Sequence, residues 1–364
     1  GWIRQSIQRF FCTGEQNLHL LVNRFFYLTL FSIATGGLVL ACLLYLMFSL
    51  GLSEILLVVT YFSLYTIFLF HLSVHRARQQ DRAAAFSEGI YQVFNLGFIA
   101  YLVVHLGLYD YRVMFIAMTA GLLLTEIGRL IFVSGTRERV EIIHLFWDLR
   151  FTQKVVEYGR PMTLWLVLSF TLSVADRFIL KLFHGFATAG AYSAISDLLQ
   201  IVVTLFCMPV LLSYHPKIVE LWNTSHRRES MQLIRDAVIF DFLIGLVLFI
   251  AVMILRDEFY SGFLGIHDKG IYAVSVFLVI NSFLWQIILL FQKPLELFAR
   301  RKFKNAAVLV TLVINLAGNF IFVPRFGYYA SAIVMFCSYV IYLVLIFVLY
   351  RNLARETADQ HVSR

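Results

Sequence analysis

A single apolar stretch carries four polar or aromatic side chains at the spacing of helical turns. They are Trp165, Ser169, Ser173 and Asp176. At 100° per residue they fall within about 80° of one another, so a helix places them on one face. Hydroxyl and carboxyl groups bind polar solutes, and in hydrocarbon such groups usually face a bundle interior or a water-filled cavity. The spacing therefore predicts a polar cavity bordered by this helix.

Charged side chains adjoin one end of this face. Arg177 directly follows Asp176, and Lys181 lies one helical turn further along. Asp197, in the next apolar stretch, falls at a similar depth once a turn near Gly185 is allowed for, so it is positioned to pair with either base. Two cations this close together within a membrane-spanning helix favour a role beyond packing. The alternative, an ion-pair cluster that only holds helices together, stays open.

Other apolar stretches carry similar polar stripes. Gln92 falls between Glu88 and Asn95, Asn281 precedes Trp285 by four residues, and Asn315 precedes Asn319 by four. Together they predict that several helices border one polar cavity. The alternative is that such amides only bond one helix to another, at about 0.6 kcal/mol each, and for Gln92 or Asn315 alone this alternative is favoured.

No enzyme motif accompanies these residues. The HExxH, GxxxxGK[ST] and GxSxG patterns are absent. The residues required for hydrolysis by a metal, a P-loop or a serine nucleophile are therefore missing. The four cysteines show no metal-ligand spacing, and His71, His105 and His144 are interpreted as isolated structural residues. We therefore predict a protein that is not an enzyme and has neither a cofactor nor a metal.

The composition indicates which elements hold the polar residues. Of the 364 residues, 60% are hydrophobic and 14% are charged, whereas soluble domains are roughly 45–50% apolar and about 25% charged. The 36 Phe residues lie in long apolar runs rather than at the alternating spacing of a lipid-facing strand. The α-helix is then the remaining structure that satisfies the hydrogen-bonding groups of the backbone in hydrocarbon. The predicted fold class is all-α, a polytopic transmembrane helix bundle.

About ten apolar windows are long enough to span a bilayer, which takes about 20 residues. They fall at roughly 23–48, 54–74, 88–108, 112–133, 161–183, 187–213, 234–255, 270–292, 305–323 and 327–350. Short links alternate with longer basic ones, so the helices are expected as hairpins. The short links are marked by Gly51, Gly107, Gly185 and the segment 324–327.

The basic residues segregate to one side of the predicted bundle. If the N-terminus and every second link are placed on one face, 24 of the 30 Lys and Arg residues fall there and 6 on the other. By the positive-inside rule the first face is cytoplasmic, with both termini on that side. The net charge of +8 is thereby explained by topology, and no nucleic-acid partner is expected.

The longest polar stretch separates the windows into two groups. We predict a transmembrane lobe of about four spans at 1–134, an amphipathic cytoplasmic connector at 135–160, a six-helix lobe at 161–350 and a cytoplasmic tail at 351–364. The connector mixes charged and apolar residues in a way typical of segments that lie on a membrane surface.

Several segments resemble a known family. The motifs are Trp-Ile-Arg-Gln-Ser-Ile-Gln-Arg-Phe at 2–10, Tyr-Gly-Arg-Pro at 158–161, Asp-Arg-Phe-Ile-Leu at 176–180, Gly-Ala-Tyr-Ser at 190–193, and Pro-Arg-Phe-Gly-Tyr at 324–328 after Asn315 and Asn319. Their order and spacing resemble the bacterial polysaccharide-transport, O-antigen flippase-like family of the multidrug/oligosaccharidyl-lipid/polysaccharide (MOP, MATE-like) exporter superfamily. Members have two six-helix lobes, so the resemblance implies that the first hairpin is missing and the N-terminal lobe is truncated.

The resemblance implies a function. A flippase of this kind moves a lipid-linked oligosaccharide, carried on undecaprenyl diphosphate, from the cytoplasmic to the outer leaflet of the bacterial inner membrane by alternating access. Such a flippase acts in polysaccharide biosynthesis, including that of lipopolysaccharide O-antigen. The partners that the resemblance implies are the lipid bilayer, the lipid-linked oligosaccharide and polysaccharide polymerase machinery. Arg177 and Lys181 are then expected to hold the diphosphate.

Two other classes remain open from the sequence. A MATE-type drug/ion antiporter would share the fold and differ in its substrate. A membrane-embedded glycan polymerase or ligase is the enzyme alternative, but the longest outer link, at about 256–269, is short for acceptor chemistry.

Overall fold

The computed structural model describes residues 7, 18–48, 50–78, 80–107, 110–133, 149–224, 226–262, 269–297 and 301–362. These residues are helical almost throughout and contain no strand. The predicted all-α class is confirmed.

The helices follow one another with few connecting residues. They are α1 (Leu18–Phe48), α2 (Leu52–Ala77), α3 (Asp81–Leu106), α4 (Tyr111–Val133), α5 and α6 (Leu149–Asn223, divided at Gly185), α7 (Arg227–Gly262), α8 (Lys269–Phe291), α9 (Lys293–Leu297), and α10 and α11 (Arg301–Val362, divided at Gly327). Eight continuous stretches within the described residues are long and apolar enough to cross a membrane. Two of these, of 68 and 50 residues, are the hairpins α5–α6 and α10–α11. Counting each hairpin as two helices gives ten spans, as predicted.

The two hairpins turn at glycines with left-handed backbone conformations. Gly185 has φ 81° and Gly327 has φ 57°, a region that side chains with a Cβ rarely adopt. The turns also contact each other, since His184 Nε2 lies 2.8 Å from the carbonyl oxygen of Val323. The glycines predicted to mark these short links therefore do so for a conformational reason.

The chain forms two compact units, with the boundary between Thr163 and Leu164. The predicted connector, 135–160, falls largely on residues 134–148, which lie outside the described residues, while 149–160 belong to α5. The predicted tail, 351–364, begins as a direct continuation of α11, which runs to Val362.

Unit 1 contains a buried charged cluster that the sequence pattern did not indicate. His71 Nδ1 lies 3.1 Å from Glu126 Oε2, and Arg129 Nε lies 2.9 Å from the same oxygen. His71 is therefore not isolated, and its contact with Glu126 is compatible with the structural role interpreted for it. The cluster joins α2 to α4, and an ion pair at this depth needs its partners because a lone charge in hydrocarbon is costly.

The two largest apolar cores of unit 2 join α5, α6, α8, α10 and α11. One contains Leu180, Tyr192 and Leu278, and the other contains Leu172, Ile288 and Tyr342. Many other large apolar side chains of the unit are exposed, for example Phe170 and Leu205, as expected for helices whose surroundings are lipid.

Helix α7 approaches α8 closely at a glycine. A Cβ built on Gly245 would lie 2.1 Å from a ring carbon of Phe283, so a side chain there forces α7 away from the helix that carries Asn281 and Trp285.

We expect Gly245→Leu to lower the free energy of unfolding by about 1–3 kcal/mol. Chemical unfolding in detergent micelles measures this. Gly190, where an added Cβ meets nothing within 4 Å, gives the matched control, since Gly190→Leu should change stability by less than about 0.5 kcal/mol. Equal effects of the two substitutions would contradict the packing argument.

Candidate polar cavity of unit 2

The polar face predicted for α5 borders a cavity in unit 2. Trp165, Ser169, Ser173 and Asp176 all line a cavity of about 590 Å³. Because α5 rises about 1.5 Å per residue, the eleven steps from Trp165 to Asp176 place aromatic and charged groups at opposite ends. The cavity therefore has an aromatic end at Trp165 and a charged end at Asp176.

Three further helices complete the wall. Helix α6 contributes Tyr192, Ser196, Asp197 and Gln200; α8 contributes Leu278, Asn281, Ser282, Trp285 and Leu289; and α11 contributes Met335 and Tyr339. Hydroxyl, amide and aromatic groups therefore alternate around a single space. The lining shares Tyr192 and Leu278 with one apolar core and Trp165, Met335 and Tyr339 with the other, and it adds hydroxyl, amide and charged groups to them.

The charged end is a compact hydrogen-bonded group. Arg177 Nη2 lies 2.7 Å from Asp197 Oδ1 and also reaches Ser196 Oγ at 3.4 Å. The Tyr192 hydroxyl donates to Asp176 Oδ2 at 2.8 Å, and Asp176 is only 2% exposed. The Asp197 side chain, in contrast, is 57% exposed, so the ion pair with Arg177 opens onto the cavity. Of the two bases considered for Asp197, the structure selects Arg177.

The aromatic end is a row of stacked rings. The Trp165 and Trp285 indoles are nearly parallel, at 9° with ring centroids 6.3 Å apart, and Tyr339 packs on Trp285 at 5.6 Å. The Trp165 indole Nε1–H donates to the Tyr342 hydroxyl at 3.1 Å, which fixes the ring in its plane. Flat aromatic faces of this kind bind the apolar faces of cyclic solutes.

Three polar atoms on the cavity wall lack a hydrogen-bond partner among the described protein groups. They are Ser169 Oγ, Arg177 Nε and Asn281 Oδ1, all buried. The Asn281 amide nitrogen is already used, since it donates to the carbonyl oxygen of Ala332 at 3.0 Å. A buried polar atom without a partner costs about 1–3 kcal/mol. All three belong to side chains that line the cavity, although the three atoms themselves are covered by the protein.

Eight of the twelve residues predicted to contact the substrate thus line this cavity, and four lie elsewhere. Gln92 is exposed on α3 in unit 1. Lys181 is not in the lining, and its ammonium lies 4.2 Å from the centroid of the Phe186 ring. Asn315 and Asn319 are fully buried, where Asn315 donates to Ser338 Oγ at 3.0 Å and Asn319 donates to Asn315 Oδ1 at 3.0 Å. Asn319 Oδ1 also accepts from Ser331 Oγ on α11 at 3.4 Å, so both amides of α10 bond this helix to α11, which was the alternative given for such amides.

Sequence reasoning missed several lining residues. Tyr192, Ser196 and Gln200 recur every four residues on α6, so the periodicity that marked α5 would have found them. Tyr339 carried no such signal, because α11 also carries aromatic residues such as Tyr329 and Phe347, which are exposed. Within the described part of the chain, no group of three His, Cys, Asp or Glu residues is placed to hold a metal ion.

Solved membrane transporters share this fold. An inward-facing multidrug resistance MATE family transporter of the MOP superfamily superposes with a TM-score of 0.79 at 11% identity, over 100% of this chain and 87% of the transporter. An outward-facing one gives 0.70 at 11% identity, over 99% and 83%. A MOP superfamily transporter from Pyrococcus furiosus, for which a reverse polarity of the binding pocket suggests a different function, gives 0.69 at 11% identity, over 96% and 82%.

No protein-family model matches the chain, and neither does any curated protein sequence. At these identities the structural likeness defines the fold, which is that of MATE transporters of the MOP superfamily. The predicted MATE-like class of helix bundle is thereby confirmed, and the absence of a first hairpin stays a prediction.

Proposed function

We propose that this chain is a membrane transporter that flips a lipid-linked oligosaccharide, carried on undecaprenyl diphosphate, from the cytoplasmic to the outer leaflet during surface polysaccharide biosynthesis. The observation that carries the proposal is the cavity of unit 2, where hydroxyl and amide side chains, stacked indoles and one arginine line the same space. The proposed location is the bacterial inner membrane. Polysaccharide polymerase machinery is the proposed protein partner.

The hydroxyls and amides suit the sugar part of such a substrate. Each sugar hydroxyl that enters hydrocarbon without a partner costs roughly 2–7 kcal/mol, so an oligosaccharide cannot cross the bilayer unaided. Ser169, Ser196 and Asn281 offer hydrogen bonds along the cavity wall, and Trp285 offers a ring face. Groups of both kinds replace the water that a sugar loses.

Arg177 suits the diphosphate. Its pairing with Asp197 is partly exposed, and such ion pairs contribute only about 0–1 kcal/mol. A phosphate group can therefore take the place of Asp197, since guanidinium and phosphate form short, bidentate, charge-assisted hydrogen bonds. In this interpretation Asp197 occupies the guanidinium until the substrate arrives.

Alternating access is the proposed mechanism. Transporters of the same fold have been solved in inward-facing and outward-facing conformations, and rocking of two helical halves about a central site is a general way to achieve this. The membrane potential favours the proposed direction, because each negative charge that moves outward gains about 2.3 kcal/mol per 100 mV.

A MATE-type drug antiporter is the second candidate, and one observation favours it. Two carboxylates, Asp176 and Asp197, accompany a single guanidinium at the charged end. Together with the indole faces, this excess of negative charge would also suit an organic cation. The resemblance to multidrug transporters is compatible with either candidate.

Gene deletion separates the two candidates. Under the proposal, cells that lack the gene lose surface glycan and accumulate lipid-linked oligosaccharide on the cytoplasmic side, while their sensitivity to cationic drugs is unchanged. Drug sensitivity with intact surface glycan would overturn the proposal in favour of the antiporter.

The aromatic end gives a residue-level prediction in the same cells. Complementation with Trp285→Ala should restore less than about a tenth of the surface glycan, since burying a large apolar side chain against a bound ring contributes about 1.5–3 kcal/mol. Trp222→Ala is the matched control, because Trp222 packs on Arg227 outside the cavity. Quantitative surface-glycan staining at equal protein levels measures export by both variants. Full export by Trp285→Ala would show that the indole does not contribute to the substrate site.

A further inference from the structure

A buried charged cluster lies directly behind the aromatic end of the cavity. Lys304 Nζ lies 2.8 Å from Glu296 Oε1, and Lys293 Nζ lies 3.0 Å from Glu296 Oε2. Lys304 is only 1% exposed. Its ammonium is therefore held inside the protein, although lysine is almost never fully buried unless it is paired.

The Lys304 ammonium also contacts the cavity wall from behind. Its Nζ lies 4.3 Å from the centroid of the Trp165 ring, within the range of a cation–π interaction. Trp165 itself lines the cavity and stacks on Trp285. The indole consequently separates a buried cation from the space where a solute would bind.

A hydrogen-bonded chain holds the edge of the same indole. Trp165 Nε1–H donates to the Tyr342 hydroxyl at 3.1 Å, and that hydroxyl donates to Gln292 Oε1 at 3.3 Å. Gln292 lies between α8 and α9, directly before Lys293. The face of Trp165 is thus held by Lys304 from α10, and its edge is held by Tyr342 from α11, which is itself bonded to Gln292 between α8 and α9.

Stability alone does not require an ion pair at this position. A buried pair is often no more stabilising than apolar residues of the same volume, and the fold provides such residues elsewhere in the core. What an apolar residue cannot supply is a directed attraction for the face of the indole.

From this arrangement we infer that Lys304, held by Glu296, is a positioning residue that fixes the Trp165 indole as the inner wall of the cavity. Lys304 acts through Trp165 and does not touch the solute. The inference depends on the geometry of the cavity and not on the identity of the substrate, so it can fail while the proposed function stands, and the reverse also holds.

Fluorine NMR tests the inference without substrate. The purified protein is labelled with 5-fluorotryptophan, and the resonance of Trp165 among the five tryptophans is identified by its loss in Trp165→Phe. We expect Lys304→Met to shift and broaden this resonance by more than its original linewidth, because the cation over the ring and the single ring orientation are both lost. Lys304→Arg should restore a narrow resonance, since a guanidinium also binds aromatic faces.

Two further variants keep the test decisive. Lys302→Met is the matched control, because Lys302 lies two residues earlier on α10 and is exposed, so it should leave the Trp165 resonance in place. The double variant Glu296→Gln with Lys304→Met removes the buried pair and leaves only Lys293, whose side chain is 15% exposed, without its partner. It is used if the single variant does not fold. An unchanged Trp165 resonance in either folded variant that lacks the ammonium would overturn the inference.

Discussion

Replacing Arg177 with alanine is expected to lower substrate transport by at least about tenfold while leaving the amount of folded protein unchanged. A hydrogen bond to a charged group contributes about 1.5–3 kcal/mol, which corresponds to a factor between roughly ten and more than a hundred. Among the described residues that line the cavity of unit 2, Arg177 is the only lysine or arginine, and the substitution removes it. It also leaves Asp197 without its partner, but Asp197 is largely exposed, so the protein should still fold.

The measurement is export of surface glycan in a deletion strain that expresses each variant at the same level. Arg177→Lys should transport at an intermediate level, because lysine keeps the charge and loses the bidentate geometry. Lys217→Ala is the matched control, since Lys217 forms an exposed ion pair with Glu220 at 3.1 Å outside the cavity. Normal export by Arg177→Ala at normal protein levels would exclude Arg177 from the mechanism.

Replacing Glu296 with alanine is expected to cost about 3–5 kcal/mol of unfolding free energy, the usual effect of breaking a buried ion pair by removing one partner. Glu296 contacts two ammonium groups, Lys293 at 3.0 Å and Lys304 at 2.8 Å. Without the carboxylate both charges remain in a poorly solvated corner, and Lys304 is almost completely buried.

Chemical unfolding in detergent micelles measures this change. Glu220→Ala provides the comparison, because it removes the partner of an exposed lysine at the same i,i+3 spacing and should cost less than about 1 kcal/mol. If Glu296→Ala were as stable as Glu220→Ala, the cluster would not be the buried, interdependent group that the distances describe.

The fold was predictable because hydropathy acts over whole helices. A span of about 20 apolar residues is a strong signal by itself, and the turns at Gly185 and Gly327 were marked by residues that tolerate a left-handed backbone. The cavity face of α5 was predictable for a related reason, since polar residues in an apolar helix show which face is turned away from lipid.

The rest depended on contacts between helices that are distant in sequence. Asn315 and Asn319 show the same four-residue spacing as the residues of α5, yet their amides are used by Ser338 and by each other. Nothing in the spacing of α10 distinguishes an amide that faces a cavity from one that faces a neighbouring helix. The same limit applies to His71, whose partner Glu126 lies on another helix, and to Lys304 behind Trp165.

Substrate protection of a cysteine in the cavity tests the central claim most directly. In a background in which Cys12, Cys42, Cys207 and Cys337 are replaced by alanine, Ser196→Cys introduces one thiol beside Arg177. The cavity predicts that a small water-soluble methanethiosulfonate labels this thiol, and that lipid-linked oligosaccharide at about ten times its Kd slows labelling by about tenfold. Labelling of Glu229→Cys, on the exposed start of α7, should not change. Equal labelling of the Ser196→Cys thiol with and without the oligosaccharide would contradict the assignment of this cavity as the substrate site.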